Sequence, residues 1–559
     1  MVAPLGLSTG GAVKHSVAGI TDGHMVIAQC LKALGVTHIY CLSGTPIGVT
    51  FAHCAKIGIR PIGIHHQQAG VMMATAQNYV AGRVAAVALL SAGPAVTNAA
   101  TSLLVARDNC WPVVVLGSRR PLSMQGMGSF QELDAVPVFR SITKWSALVD
   151  SSARIPEALE EAFMVAVSGR PGPVYLDFPE DVLTGLARSY TTPSLKRLPS
   201  PSPDESAIER AADLLHHAAR PGMIIGKGAR WSEPFQELTR LVDDFGIPFI
   251  TSPMGRGFLP DDHPLCCNRA RSVLQAKADV ILLVGARLDW TFRFGAEFAP
   301  DAKIIQIDIH EQEVGVNITP AVGIVGDSKE VLTRLLDHLA LKDGSKETRS
   351  LWHAVLERDN QSKLREWNGR MNDDSIPMSP YRMLKEVREF LPRDAVCILD
   401  GNVFMAAAQQ VLPTYMPVTR FTAGTNGCMG VGIPFGIGAK LAQPTRPVVV
   451  LCGDTAFGFS AMEMETAVRH QIPIIVVVVN NDGNSGALQQ TALYPPGHER
   501  VTMFQPDIRY EQIMRAFGGA AEYVERPEQL QPALERAARS GVAACINVKV
   551  DPHAPYPRD

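Results

Sequence analysis

The sequence has little net charge, no Cys-x-x-Cys motif and no apolar run long enough to cross a bilayer. Its 52 Lys and Arg nearly balance 55 Asp and Glu, giving a formal net charge of -3. No stripe of basic residues is present, so the charge gives no reason to expect binding to nucleic acid or to an anionic membrane surface. Hydrophobic residues make up 46% and charged residues 19%, as in ordinary globular proteins. The 559 residues predict roughly three to four domains.

The ten cysteines are scattered, with one vicinal pair at residues 266–267. Several, such as Cys397, Cys452 and Cys545, lie in apolar runs, which predicts reduced core residues of a cytoplasmic protein. Residues 1–17 lack the charged start and long apolar core of a signal peptide, so we expect a loose arm. The last residues match no targeting tag. We therefore expect a cytoplasmic location, with neither nucleic acid nor membrane as partner.

Strand-length apolar runs alternate with helical segments, which predicts parallel βαβ units. We expect an α/β protein of three domains, each with a mostly parallel sheet flanked by helices. The predicted domains are residues 1–190, 204–341 and 379–559, separated by a linker at 191–203 and a connector at 342–378. The runs that predict strands are residues 38–41, 60–65, 85–90, 112–116, 173–177, 222–225, 248–251, 280–284, 303–307, 395–399, 448–452, 474–479 and 544–550.

Oxygen ligands follow two strands of the third domain. Asp454 comes after the run 448–452, and Asn481 comes after the run 474–479, with a helix predicted at 460–470 between them. The carboxyl ends of parallel strands are where open α/β sheets bind ligands. A carboxylate, an amide oxygen and a loop carbonyl near Gly483 suit Mg²⁺, which shares its shell with water and phosphate oxygens. These residues predict a magnesium–diphosphate site.

The amides of Ala456 and Phe457, at the start of the next helix, would face the diphosphate. In the simpler alternative, Asp454 is only a helix N-cap and residues 480–481 form an ordinary turn. The paired strands, the intervening amphipathic helix and the Asn-Asn end together favour the ligand site.

At residues 453–454 and 480–481 the sequence resembles the thiamine-diphosphate enzymes, whose signature begins with Gly-Asp and ends with Asn-Asn at this separation. The resemblance implies that Mg²⁺ and thiamine diphosphate bind here, with Met429 wedged between the two rings of the cofactor. The turn Asp400-Gly401-Asn402, at the end of the run 395–399, would lend amides to the diphosphate. The implied cofactor-binding residues are Gly401, Asn402, Met429, Gly453, Thr455, Ala456, Phe457, Asn481, Gly483 and Asn484.

The sharpest departure from this family is Gln67, which stands where the family has a glutamate that hydrogen-bonds the pyrimidine ring. A neutral amide donates and accepts hydrogen bonds but cannot shuttle a proton. Either formation of the reactive cofactor is slowed, or His65 or His66 takes over the proton, or the glutamine is not the natural residue. Both histidines are equally well explained as packed strand-end residues.

Several motifs are similar to the branch that holds 2-hydroxyacyl-CoA lyases and oxalyl-CoA decarboxylases. They are residues 109–112, 127–132, 168–172, 226–228, 253–257, 285–288 and 453–460. Decarboxylases of this branch tend to carry Tyr-Glu where this chain has Phe130-Gln131, which favours the lyase and places Gln131 at the substrate. The resemblance then implies cleavage of the C1–C2 bond of a 2-hydroxyacyl-CoA to formyl-CoA and an aldehyde or ketone.

Two alternatives remain open. One is a decarboxylase or carboligase acting on 2-oxo acids or oxalyl-CoA, because residues 484–490 lack the tyrosine that this family places near the substrate. The other is a catalytically degenerate protein that still binds the cofactor. The loop 489–503 predicts a lid, on which His498 and Glu499 are further candidates for the base.

In the central domain, Lys227, Arg287 and Asp308 lie near the carboxyl ends of predicted strands. Such positions suit phosphates and ribose hydroxyls, although each is also explained as a solvated loop charge. By the resemblance they would bind ADP. The family arrangement also implies at least a homodimer and favours a homotetramer, since pyrimidine-side and diphosphate-side residues come from different subunits.

Overall fold

The computed structural model describes residues 14–195, 198–342, 349–401, 403–484 and 493–554. It forms two compact units, Met1–Pro199 and Ser200–Asp559. Three parallel sheets flanked by helices confirm the predicted α/β class. Within the described ranges, no helix combines the length and apolar character that a membrane crossing requires.

The first unit is built on a six-stranded sheet of order β3-β2-β4-β5-β7-β6, in which all pairs are parallel. Its strands are β1 (Ser16–Asp22), β2 (His38–Cys41), β3 (Arg60–Gly63), β4 (Ala86–Leu89), β5 (Val113–Arg119), β6 (Trp145–Leu148), β7 (Pro173–Pro179) and β8 (Leu186–Thr191). Its helices are Gly23–Ala33, Gly48–Lys56, Gln67–Ala81, Pro94–Thr97, Ala100–Asn109, Ala135–Phe139, Ile155–Val167 and Glu180–Thr184.

Three strands of this unit, β1, β6 and β8, were not predicted from the sequence. β1 and β8 form a separate antiparallel pair whose residues are largely exposed, and β6 is a half-buried edge strand. None of them is the continuous apolar run that marks a strand buried on both faces, as β5 and β7 are.

The second unit contains two parallel sheets. The central sheet has the order β10-β9-β11-β12-β13, with β9 (Pro221–Ile225), β10 (Phe249–Thr251), β11 (Val280–Val284), β12 (Lys303–Asp308) and β13 (Val322–Val325). Helices Glu205–His217, Phe235–Asp243, Arg271–Lys277 and Ser328–Ala340 flank it, and Ser350–Met371 follows. The edge strand β13 was not predicted, because it is short and its burial alternates.

The other sheet has the order β15-β14-β16-β17-β19-β18. Its strands are β14 (Val396–Asp400), β15 (Arg420–Thr422), β16 (Val448–Gly453), β17 (Ile475–Asn480), β18 (Ala520–Val524) and β19 (Ala544–Lys549). Its helices are Pro380–Phe390, Val403–Val411, Gly432–Ala442, Asp454–Ser460, Glu463–Arg469, Tyr510–Ala516 and Pro527–Ser540.

The single helix predicted at 460–470 is wrong. The chain enters a helix at Asp454, directly after β16, and a second helix, Glu463–Arg469, follows after a turn. Gly453 is the N-cap of the first helix, without a side-chain cap, and the carboxylate of the first helical residue, Asp454, accepts the Thr455 N–H at 2.6 Å. The predicted domain boundaries remain a prediction.

Candidate active site

The carboxyl ends of β16 and β17 lie side by side. The two strands are parallel, with Gly453 in register with Val479. Asp454 and Asn481 therefore follow neighbouring strands at one edge of the sheet. Both side chains are buried, as expected for residues at the end of strands covered by helices on both faces.

The Asp454 carboxylate lies against the turn that contains Asn481 and Gly483. One carboxylate oxygen accepts the Gly483 N–H at 3.0 Å, and the Asn481 N–H also hydrogen-bonds this side chain. The structure thus brings together the three predicted metal ligands. Their role as ligands stays a prediction.

Asp454 is 2% exposed, and within the described ranges no Lys or Arg forms an ion pair with it. Burial raises the pKa of Asp454 to about 6, although the N–H groups of Gly483, Thr455 and Asn481 oppose that rise. A buried carboxylate without a cationic partner is costly to ionise. A bound cation would remove that cost.

The donor set fits Mg²⁺ better than a transition metal. No group of three or more His, Cys, Asp or Glu able to hold a metal occurs in the described part of the chain. A cation at Asp454 would therefore have one carboxylate and otherwise amide, carbonyl, phosphate and water oxygens, which is the shell that Mg²⁺ accepts. There is also room beside it, because a Cβ added at Gly453 or Gly458 would meet no heavy atom within 4 Å.

We expect the affinity for Mg²⁺, with thiamine diphosphate in excess, to fall about tenfold per pH unit below about pH 6, because the cation requires ionised Asp454. The folded pKa lies above the ordinary value of 3.8. In the cofactor-free protein, the contribution of Asp454 to the free energy of unfolding is therefore fully present below about pH 4 and is lost as the pH rises through about 6. Mg²⁺ with thiamine diphosphate should restore it. Metal titrations between about pH 5 and pH 8 test the sign, and an affinity that rises on acidification would contradict it.

Asp400, at the end of β14, is a functional candidate whose side-chain role the sequence analysis missed. Its two carboxylate oxygens accept the N–H groups of Gly430 at 3.2 Å and Gly432 at 2.7 Å. It therefore fixes the loop immediately after Met429. Burial raises the pKa of Asp400 to about 7, against the effect of these N–H donors. The Asp-Gly pair after an apolar strand was visible in the sequence, but its partner loop was not.

Replacing Asp400 with alanine should release this loop without unfolding the domain. The N–H groups of Gly430 and Gly432 lose their acceptor, while removal of a buried carboxylate offsets part of the cost. We expect hydrogen exchange of residues 428–432 to accelerate at least about tenfold. Exchange in helix Gly432–Ala442 beyond its first turn serves as the internal reference, and D394A is the matched control. Unchanged exchange in the loop would show that Asp400 does not fix it.

The other predicted cofactor residues that the structure describes lie in segments at the same edge of the sheet. Gly401 has a φ of +141°, and a Cβ there would meet the Phe404 ring at 2.7 Å, so this turn requires glycine. Met429 is half-buried, and Asn484 donates its N–H to the Thr502 carbonyl at 3.0 Å. The predicted positions Thr455, Ala456 and Phe457 form the first turn of helix Asp454–Ser460. Asn402 lies outside the described residues.

In the first unit, Gln67 begins the helix Gln67–Ala81 and is 8% exposed. Its side-chain oxygen accepts a hydrogen bond from Asn98 Nδ2 at 2.9 Å. His65 and His66 are both exposed, and His66 Nδ1 accepts the Gln68 N–H at 3.2 Å as the helix cap. Of the two alternatives for these histidines, packing at the strand end is therefore wrong. Only Gln67 is held in a buried position.

Gln131 lies beside the segment 93–98, which also contains Asn98, the hydrogen-bond partner of Gln67. It has a φ of +59°, and a Cβ at Gly93 would meet its carbonyl oxygen at 2.7 Å. Glu132 holds this loop, because its carboxylate accepts the N–H groups of Gly128 and Ser129 at 3.0 Å each. The segment 93–98 therefore contacts both Gln67, through Asn98, and Gln131.

The predicted lid, residues 489–503, is described only from residue 493 onward, because residues 485–492 lie outside the described residues. The hydrogen bonds of His498 and Glu499 in the described part of the chain go to residues 495–503. Glu499 accepts the Gly497 N–H at 3.0 Å, and its own N–H and that of Gly497 lower the pKa of its carboxyl. This stabilised carboxylate is a weaker base than an ordinary glutamate.

In the second unit, an open recess of about 520 Å³ is lined by Lys227 and Arg287 together with Asp289, Trp290 and Thr425. Lys227 Nζ donates to Thr425 Oγ1 at 3.3 Å. Trp290 Nε1 donates to the Thr425 carbonyl at 2.8 Å, and Arg287 pairs with Glu313 at 3.2 Å.

The third predicted nucleotide residue, Asp308, does not line this recess. Its carboxylate accepts the His310 N–H at 2.9 Å after β12. The structure thus brings together two of the three predicted residues.

A buried carboxylate and an asparagine at the carboxyl edge of a parallel sheet, beside open glycines, define a cofactor-binding α/β enzyme. Three family profiles match the chain: "Thiamine pyrophosphate enzyme, N-terminal TPP binding domain" at residues 21–138, "central domain" at 208–335 and "C-terminal TPP binding domain" at 401–548. The chain belongs to the thiamine pyrophosphate enzymes. This confirms the predicted family, its cofactor and the prediction of an enzyme.

Curated relatives align along nearly the whole chain. Human 2-hydroxyacyl-CoA lyase 1 is 35% identical over 555 residues, covering 95% of each chain. An acetolactate synthase large subunit of Mycobacterium tuberculosis is 36% identical over 537 residues, covering 95% of this chain and 96% of the relative. Oxalyl-CoA decarboxylase of Escherichia coli (strain K12) is 32% identical over 545 residues, covering 96% of each.

Proposed function

We propose that the protein is a 2-hydroxyacyl-CoA lyase that cleaves the C1–C2 bond of a 2-hydroxyacyl-CoA, giving formyl-CoA and an aldehyde or ketone. The observation that carries this proposal is the full-length similarity to 2-hydroxyacyl-CoA lyases of human, mouse and plants. Phe130-Gln131, in place of the Tyr-Glu of the decarboxylases, supports the same choice.

When bound, thiamine diphosphate supplies a nucleophilic carbon and then an electron sink. In this proposal Asp454 and Asn481 hold Mg²⁺ through side-chain oxygens, and Gly483 does so through its carbonyl. Met429 would lie against the rings of the cofactor, on a loop that Asp400 fixes at Gly430 and Gly432.

The first unit contributes the pyrimidine-side residues in this proposal. The Gln67 amide hydrogen-bonds the pyrimidine, and the Gln131 amide orients the substrate carbonyl. Because Gln67 cannot carry a proton, removal of the substrate hydroxyl proton falls to another group. His65 and His66 are exposed and lie next to Gln67 in the sequence, so they are the first candidates. The lowered pKa of the Glu499 carboxyl makes Glu499 a poorer candidate for this base.

The proposal is tested with protein loaded with thiamine diphosphate and Mg²⁺. We expect formyl-CoA from 2-hydroxyacyl-CoAs of short or long acyl chain. Oxalyl-CoA and free 2-oxo acids, supplied in parallel, should be converted far more slowly. If no 2-hydroxyacyl-CoA gives formyl-CoA while a 2-oxo acid or oxalyl-CoA is turned over, the lyase proposal is contradicted. The protein would then be a carboligase or decarboxylase.

The second candidate is a carboligase or decarboxylase acting on 2-oxo acids or oxalyl-CoA. The acetolactate synthase and oxalyl-CoA decarboxylase relatives, with similar identity and coverage, favour it. A catalytically degenerate cofactor-binding protein is the third, favoured by Gln67. It would retain thiamine diphosphate but turn over none of these substrates.

The assembly and the second ligand also belong to the proposal. We infer a homodimer at least, and a homotetramer by resemblance, which light scattering of the holoenzyme tests. ADP in the central domain is supported by Lys227 and Arg287 in one recess, and equilibrium dialysis with ADP tests it.

The cytoplasmic location also belongs to the proposal. All ten cysteines are free, which favours a reducing, cytoplasmic location.

A further inference from the structure

A second recess lies at the opposite edge of the third-domain sheet from Asp400 and Asp454. It is open to solvent, measures about 730 Å³, and is bordered by the segments just before β14 and β15. β14 is five residues long, so this recess is roughly 13 Å from the cofactor edge. Its lining includes Arg388, Arg393, Thr414, Tyr415 and Thr419. The cofactor site does not use these residues.

Arg388 is the exceptional side chain of this recess. It lies in the last turn of helix Pro380–Phe390 and lines the cavity. No residue within the described ranges forms a hydrogen bond or ion pair with its guanidinium. Arg393, by contrast, pairs with Asp262 at 2.8 Å, and its guanidinium lies 3.8 Å from the centre of the Tyr415 ring. A half-buried arginine without an acceptor leaves five N–H donors available to a ligand.

Two further arginines, Arg269 and Arg420, interact with residues that line the recess but do not line it themselves. Arg420 is buried, donates from Nε to Thr414 Oγ1 at 3.0 Å, and has no acceptor for Nη1 in the described part of the chain. Arg269 likewise has a buried Nε without a partner there. Burial, and then the neighbouring guanidiniums of Arg388 and Arg256, lower the pKa of Arg269. Like charges are therefore crowded at this position.

The acidic side chains do not balance this charge. Asp261 pairs with Arg256 at 3.1 Å, Asp262 pairs with Arg393, and Glu389 lines the recess. Against these three carboxylates stand five guanidiniums: Arg256, Arg269, Arg388, Arg393 and Arg420. Among these residues, guanidinium groups therefore outnumber carboxylates.

We propose that this recess is an anion-binding site for a phosphate group, separate from the cofactor and substrate sites. Arg388 would hold the phosphate bidentately, as a guanidinium fork can, with the Arg393 guanidinium beside it. The volume exceeds that of a single ion, so the phosphate could be free or part of a small monoester. Binding would relieve the repulsion between Arg388 and Arg269.

The test uses protein saturated with thiamine diphosphate and Mg²⁺, so that the diphosphate site is filled. Calorimetric titration with inorganic phosphate, and separately with glycerol 3-phosphate, should show saturable binding beyond that of chloride at equal ionic strength. Comparison of the two affinities distinguishes the two possible ligands. If glycerol 3-phosphate binds more weakly than inorganic phosphate, the ligand is the free ion; if it binds equally or more tightly, the ligand is a phosphate monoester.

Arg388→Gln should weaken phosphate binding about tenfold or more, since one charge-assisted contact is lost. R388K, which keeps the charge but not the fork, should weaken it less. R539Q, which removes an exposed arginine from helix Pro527–Ser540, should leave the affinity unchanged. Without phosphate, R388Q should melt no lower than the wild type, because it removes a repulsive charge. No saturable binding, or equal weakening in R388Q and R539Q, would overturn the proposal.

Discussion

Asp454→Asn should reduce the Mg²⁺-dependent affinity for thiamine diphosphate more than about 100-fold. Losses of 10–100-fold follow when only an outer partner of a metal ligand is removed, and Asp454 supplies the one carboxylate expected on the ion. An asparagine at this position still accepts one of the N–H groups that reach the Asp454 carboxylate from Gly483 and Thr455. The local turn should therefore persist while the charge is lost.

Cofactor-free protein separates this effect from misfolding. The wild-type carboxylate is buried without a cationic partner, so D454N without cofactor should unfold no more easily than the wild type. The matched control is D507N, which removes an exposed aspartate that pairs with Lys549 in the same domain. Calorimetric titration of thiamine diphosphate with and without Mg²⁺ measures the difference. Tight binding by D454N would remove Asp454 from the metal site.

Gln67→Glu should accelerate exchange of the thiamine C2 proton about 10²- to 10⁴-fold, the usual range for a positioned acid or base. The buried Gln67 oxygen accepts a hydrogen bond from Asn98, and a carboxylate can accept the same bond. The substitution thus adds a proton carrier where the side chain is already held. Quenched-flow deuterium exchange followed by proton NMR of the cofactor gives the rate.

Gln68→Glu is the control, since it places the same charge one residue along the same helix. A gain in Q67E alone, with native turnover already present, would mean that another group moves the proton in the wild type, and H65A and H66A would then identify it. A gain in Q67E with no native turnover supports the degenerate candidate. Equal rates in Q67E and wild type would show that position 67 does not govern C2 exchange.

The sequence predicted the buried strands well, because continuous apolar runs such as those of β16 and β17 are typical of strands that helices cover on both faces. It also predicted that Asp454, Asn481 and Gly483 lie together, since parallel strands end at one edge. Edge strands such as β6 and β13 were missed because half-buried segments lack that pattern. The predicted helix 460–470 began too late, because the chain turns into a helix at Asp454, directly after β16, with Gly453 rather than a capping side chain at the N-cap.

Contacts between distant segments could not be predicted in the same way. Asp400 was expected only to contribute a turn, whereas its carboxylate fixes Gly430 and Gly432, thirty residues away. Gln67 was recognised as a departure, but its partner Asn98 was not. In the central domain, Lys227 and Arg287 share a recess and Asp308 does not, because a capping bond to the His310 N–H holds its carboxylate.

The most direct test of the account is whether the purified wild-type protein binds thiamine diphosphate in a Mg²⁺-dependent manner. Protein stripped with a chelator is titrated with thiamine diphosphate, once with Mg²⁺ and once with the chelator still present. The account predicts saturable binding of one cofactor per chain with Mg²⁺, and binding at least about 100-fold weaker without it. Absence of binding in both titrations, or equal binding in both, would contradict the metal–diphosphate site at Asp454 and Asn481.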